Sequence, residues 1–182
     1  MSDLASSLSD DGQFDAAEEA VLQAIALLPD EGEQFRVCDC HRTLGNIYQS
    51  KGEIEKAIHH YEIALGIASP FNWHGHLFWI HYQMAGIFRD QRRFDDAQAH
   101  VERAKLHAVD DAYYLGLAME LQAGVWHKQG RLGEARTEAL RAADVYEELG
   151  AGESMERCRE LLRKIENGLV ASDQSALNCE LL

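Results

Sequence analysis

The feature that most constrains this chain is that it repeats itself. Four six-residue windows align: Gly12-Gln13-Phe14-Asp15-Ala16-Ala17, Gly52-Glu53-Ile54-Glu55-Lys56-Ala57, Arg92-Arg93-Phe94-Asp95-Asp96-Ala97 and Gly130-Arg131-Leu132-Gly133-Glu134-Ala135. Each begins at a turn position, carries a large apolar residue two places on, and closes on alanine. The closing alanines are 40, 40 and 38 residues apart. Four and seven places beyond each alanine come Val21 and Ala24, Tyr61 and Ala64, Val101 and Ala104, Ala139 and Ala142. Before each turn a small residue is followed three places later by a larger one: Ala5 and Leu8, Gly45 and Tyr48, Ala85 and Phe88, Ala123 and Trp126. A period of this length builds a core by stacking one supersecondary unit on the next.

Spacings of three and four place these residues on one face of a helix. Each unit is therefore two helices joined by a tight turn, with glycine supplying the left-handed residue that ends the first. The small residue lets the paired helices approach. Helices are expected near 2–11, 14–28, 31–51, 54–68, 72–91, 94–108, 111–129 and 132–149. A further helix near 153–167 carries Met155, Cys158, Leu162 and Ile165 on one stripe and is expected to cap the last repeat. From Gly168 onward, residues 169–182 read as a flexible tail. Its apolar Leu177, Leu181 and Leu182 either dock in a groove or stay loose. Two prolines in 182 residues suit long helices.

The pattern resembles the tetratricopeptide repeat, whose motif runs leucine-glycine, tyrosine, alanine, aromatic, alanine, proline. The resemblance covers roughly residues 1–150. It implies an all-α, right-handed α-α solenoid of about four helix pairs (near 1–30, 31–70, 71–109 and 110–149) plus the C-terminal capping helix, so that the solenoid spans 1–168. The departures are a period longer than the usual ~34 residues, Gln122 where leucine is usual, and Arg92 at a turn glycine. The closing proline appears only as Pro29 and Pro70. The longer period is similar to that of Leu-Gly-Asn-repeat adaptors and of repeat arms of signalling ATPases, and Leu44-Gly45-Asn46 matches that tripeptide once.

In proteins of this family the first helix of each pair lines a concave surface. The stripe opposite its packing face reads Asp39, Arg42, Asn46 and Gln49 in the second unit. In the third it reads Trp79, Tyr82, Gly86 and Arg89, and in the fourth Leu117, Glu120, Gly124 and His127. Trp79 and Tyr82 are of the type that anchors interfaces, or else ordinary core residues. Asn46 and Gln49 can bond a peptide backbone, Arg42 and Arg89 can hold a carboxylate, and Gly86 and Gly124 leave room for a close approach. Arg42 and Asn46 match half of the carboxylate clamp that grips chaperone C-termini. Its downstream basic partners are replaced by Gln83, Leu117 and Leu121, which argues against that ligand.

The expected function is accordingly a scaffold or adaptor that binds a protein or peptide in its groove. The alternative is a sensor or regulatory arm of a larger signalling protein such as an ATPase. A first helix beginning at Met1 leaves that end uncapped, which predicts either a fragment of a longer solenoid or self-association through the N-terminal end or the C-terminal tail.

No catalytic residues, cofactor or metal are expected. His74, His76 and His81, and Cys38, Cys40 and His41, lack the paired spacing of a structural zinc site. Asp95, Asp96, Asp110 and Asp111 flank helices, where carboxylates serve as caps. A formal net charge of -14 opposes binding to nucleic acid or anionic membrane. No apolar run reaches the ~20 residues of a membrane span. Residues 1–10 lack the features of a signal peptide, and four irregularly spaced cysteines form no disulfide framework. A cytoplasmic location is expected.

Overall fold

The computed structural model describes residues 13–28 and 33–180, with side chains described as far as 171. The expected helix at 2–11, Pro29, and the ends invoked for self-association lie outside the described backbone or side chains. The described helices are α1 (Phe14–Leu27), α2 (Gln34–Ser50), α3 (Ile54–Ala68), α4 (His74–Asp90), α5 (Phe94–His107), α6 (Ala112–Lys128), α7 (Leu132–Glu148) and α8 (Gly152–Glu180), with a short 3-10 turn at Ser69–Phe71. The chain divides into two units, residues 1–80 and 81–182, and the division falls inside α4. The architecture is an all-α helical-repeat solenoid.

The turns between paired helices are built alike. At the end of α2, Gly52 takes a φ of 77°, the Gly52 N–H donates to the Gln49 carbonyl and the Glu53 N–H reaches back to the Tyr48 carbonyl. The same two bonds recur around Gly130 after α6 and Gly150 after α7. They satisfy carbonyls that a helix end would leave unpaired. Arg92 occupies the same place after α4 with a φ of 60° and the same bonds. The geometry of the turn thus prevails over the residue, at a strain cost that glycine would avoid. On the opposite edge the Asp111 carboxylate caps α6 by accepting the Tyr114 N–H at 3.0 Å.

In unit 1 the repeat alanines Ala57 and Ala64 and the ring of Tyr61 are wholly buried. Tyr61 explains Gly45. A Cβ at position 45 would stand 2.6 Å from Tyr61 Cδ1, far inside van der Waals contact. The corresponding positions of the third repeat hold a smaller pair, Ala85 and Val101, both fully buried. α1 is tied to α2 by Lys51, which reaches Asp15 at 2.7 Å and Glu18 at 2.8 Å, and by Tyr48 Oη, which donates to Glu18 at 2.6 Å.

In unit 2, Ala97, Val101 and Ala104 of α5 and Ala135, Ala139 and Ala142 of α7 are buried, as the repeat requires. Gln122, the residue out of place in the motif, is fully buried. Its amide pairs reciprocally with that of Gln98, at 2.7 and 2.5 Å. The departure is therefore a satisfied polar pair between α5 and α6. Glu138 is likewise buried, between Lys105 at 3.1 Å and Arg141 at 3.3 Å.

α8 packs on α7 through Cys158 and Ile165, both fully buried, and Cys158 Sγ donates to the Ala139 carbonyl at 3.0 Å. It does not stop near 167. The segment from 169 that reads as a loose tail is helix through Glu180. No proline interrupts it, and a single glycine costs a helix only ~1 kcal/mol. Gly168 moreover sits against Leu132, where a Cβ would stand 3.1 Å from Cδ1.

Candidate functional site

The polar face of unit 1 lies on α2. Asp39, Arg42, Asn46 and Gln49 are all half-buried, as their helical spacing predicts. They are held rather than loose. Arg42 Nη2 donates to Asp39 Oδ1 at 2.7 Å. The Tyr61 hydroxyl lies 2.7 Å from Asn46 Oδ1 and 3.0 Å from Gln49 Oε1, one proton shared between two acceptors. The buried ring that dictates Gly45 thus also orients the two amides. His76, from the start of α4, approaches Asp39 at 3.8 Å. Burial lowers its pKa against the pull of Asp39. Trp79 is half-buried, with its ring edge-to-face on Phe78 at 5.3 Å.

Unit 2 carries its own set. Tyr82, Gly86 and Arg89 of α4 are half-buried, and Arg89 forms a two-point contact with Asp90 at 3.0 and 3.1 Å. Gly124 is buried, and a Cβ there would lie 3.4 Å from Arg89 Nη1. The space expected for a ligand is taken by the protein's own guanidinium. Leu117 is only 4% exposed and has no surface to offer, contrary to its place in the predicted stripe. α6 buries Gly116, Leu117, Ala118, Leu121, Gln122, Ala123, Gly124 and Val125, and a helix buried on several faces has no free apolar stripe.

Glu120 is engaged too. It accepts from Tyr146 Oη at 2.8 Å and pairs with Arg157 of α8 at 3.3 Å. Arg157 also reaches Ser154 Oγ at 3.1 Å, which in turn meets Tyr113 Oη at 3.2 Å. Glu120 therefore ties α6 and α7 to the capping helix. His127 is half-buried, and its pKa is lowered by burial first and then by Lys128 and Lys164.

The tetratricopeptide repeat family model matches residues 43–70, the stretch from α2 into the 3-10 turn that contains Gly45, Tyr48, Ala57, Tyr61 and Ala64. Two solved structures share the architecture along nearly the whole chain. BtubC (BKLC) from P. vanneervenii superposes with a TM-score of 0.69 at 18% identity, covering 91% of this chain and 78% of its own. A putative kinesin light chain from Podosopora anserina with nearly identical TPR-like repeats gives 0.65 at 14% identity, covering 94% of each. The chain is thus similar to tetratricopeptide-repeat proteins in fold, and over residues 43–70 in sequence. No curated protein matches it at the sequence level. Tetratricopeptide repeats generally mediate protein–protein interaction.

Two of the repeats also share a feature that motif reading overlooks. His41 and His60 meet Nδ1 to Nδ1 at 2.9 Å, and His81 and His100 meet in the same way at 3.0 Å. Each pair spans 19 residues and the two pairs are 40 residues apart, so the period itself was the signal. One imidazole must donate and the other accept, which requires an unprotonated acceptor nitrogen. Burial, then the partner His41, pushes His60 down to about 4. Burial, then Arg103, does the same for His100, to about 4.

The histidine and cysteine clusters read from the sequence disperse. His41 turns to His60, while Cys38 Sγ donates to the Ala64 carbonyl at 3.4 Å. Burial raises the Cys38 and Cys158 thiols to about 11, which makes them poor nucleophiles. Among the described residues no three His, Cys, Asp or Glu side chains converge as a metal site needs. Nor is any described helix long and apolar enough to cross a membrane.

Proposed function

We propose that this protein is an interaction adaptor of the extended, forty-residue repeat type, and that it holds a peptide or partner helix on the polar faces of its first helices. The observation that supports this most is the preordering of α2. Asn46 and Gln49 are oriented by one buried hydroxyl, and preorganised side chains lose little entropy on binding. Their amides suit the backbone of an extended peptide, which offers donors and acceptors in turn. A ligand carboxylate is disfavoured at Arg42, because it would compete with Asp39 at 2.7 Å. In unit 2, Tyr82 and Arg89 are the residues assigned to contact, whereas Glu120 and Leu117 serve the fold. The net charge of -14 selects against nucleic acid and anionic membrane as partners.

Site-specific photo-cross-linking tests the assignment. A cross-linker at Gln49 is expected to capture a partner that the same group at the exposed Glu62 of α3 does not. Equal capture from both positions would remove the α2 face as the binding surface.

A further inference from the structure

The edge of unit 1 where α2 and α4 begin carries an aromatic cluster outside the stripe just described. Phe35 and Phe71 are each 53% exposed, and both converge on Trp73. Phe71 stacks on it at 4.7 Å with a 12° interplanar angle, and Phe35 meets it edge-on at 5.1 Å. Single exposed apolar side chains are ordinary, whereas contiguous exposed patches mark interaction sites. The rings give each other shape but leave about half of both phenylalanines in water.

The electrostatic setting is one-sided. Residues 1–80 contain 13 acidic against 4 basic side chains, a formal net of -9. Asp30, Glu31 and Glu33 fall within the five residues before Phe35 in the sequence. The nearby bases are already matched, Arg36 by Glu33 at 3.4 Å and Arg42 by Asp39 at 2.7 Å. His76, edge-on to Phe35 at 4.5 Å, is held below its ordinary pKa by burial and so adds no competing cation near neutrality. Exposed aromatic faces attract cations through their quadrupole, arginine above all, and an acidic surround draws such a ligand in.

We propose that the Phe35–Phe71–Trp73 edge is a second binding surface, distinct from the α2 polar face, and that its occupant is a cationic, arginine- or lysine-bearing segment of a partner protein. The guanidinium groups lie against the outer faces of Phe35 and Phe71, and the net negative charge of residues 1–80 supplies the long-range attraction.

The test uses the full chain and a fluorescently labelled peptide of repeated Arg-Gly-Ser, followed by anisotropy at low and moderate salt. Binding is expected, weakening as salt rises, and Phe35→Ala/Phe71→Ala is expected to lose at least tenfold in affinity with helix content and unfolding midpoint unchanged. If that variant unfolds, Phe35→Leu/Phe71→Leu keeps the apolar bulk, removes the rings and is expected to show the same loss. Four results would overturn the proposal: no binding; unchanged affinity in the folded ring-less variant, which would reduce it to diffuse charge attraction; equal affinity for the peptide with citrulline in place of arginine; or self-association of the free chain that the Phe35→Ala/Phe71→Ala variant abolishes, which would make the occupant a second copy.

Discussion

Placing a methyl group at position 45 is the sharpest test of how the repeats are packed. A Gly45 Cβ would stand 2.6 Å from Tyr61 Cδ1 and 2.8 Å from Cζ, whereas carbon atoms rest at about 3.5–4.0 Å. The ring would have to retreat by roughly 1 Å, in a site where it is fully buried and its hydroxyl is bonded to Asn46 and Gln49. Overpacking of that kind costs about 1–3 kcal/mol. Alanine recovers about 1 kcal/mol of helix propensity, which leaves Gly45→Ala destabilised by up to about 2 kcal/mol. For a chain of this size that is a fall of up to about 8 °C in Tm. The third repeat contains its own remedy, Ala85 with Val101 in the corresponding places. Tyr61→Val alone should cost on the order of 3 kcal/mol through the cavity it opens. In Gly45→Ala/Tyr61→Val the added methyl group fills part of that cavity. The double variant should therefore lose about 1 kcal/mol or more less than the sum of the singles. Urea unfolding followed by circular dichroism, with calorimetry on all four proteins, provides the cycle. A Gly45→Ala protein more stable than the parent, or strict additivity in the cycle, would refute the account of close packing.

Three further outcomes follow from the same structure. Arg92→Gly should raise stability by about 1 kcal/mol, because a left-handed φ of 60° suits glycine and strains arginine; an unchanged or lowered Tm would show that the Arg92 side chain contributes contacts that offset the strain. The histidine pairs should make stability fall as pH drops from about 6.5 towards about 4. His60 and His100 have folded-state pKa values lowered to about 4 by burial, so in this window the unfolded chain takes up protons that the folded chain does not, and the stability present above 6.5 is lost. Paired carboxylates such as Glu18, lowered by Lys51 and then Tyr48, act below about 4.5, so His60→Gln/His100→Gln should flatten the 4.5–6.5 slope alone, and an unchanged slope in denaturation midpoints would count against the pairing. Glu120→Ala should cost about 1–3 kcal/mol by leaving the buried Tyr146 hydroxyl without its acceptor; unchanged stability with lost peptide capture would return Glu120 to the binding surface.

The chain's periodicity was enough to place the helices from Phe14 to Glu148, the turns between them and the alanine positions of the core. These are local properties: residues three and four apart share a helical face whatever lies opposite, and a turn needs one residue of positive φ wherever it occurs. For that reason Ala57, Ala97 and Ala135 could be placed before any coordinate, and even Arg92 could be recognised as sitting at a turn. The site was legible only in part. Asp39, Arg42, Asn46 and Gln49 do share a half-buried face of α2, but nothing in their spacing says that Tyr61 orients two of them.

What each polar group is bonded to depends on residues far away in the chain, and only the tertiary structure decides it. Glu120 reads as a groove residue until Arg157, 37 positions on, comes to meet it. Gly124 reads as room for a ligand until the Arg89 side chain is seen to fill that room. Gln122 reads as a blemish in the motif until Gln98 is found opposite it. The helical continuation past Gly168 was also beyond the sequence, because a lone glycine breaks or continues a helix according to what it packs against, here Leu132. Helical period is a property of neighbours along the chain, whereas burial and hydrogen-bond partnership belong to neighbours in space.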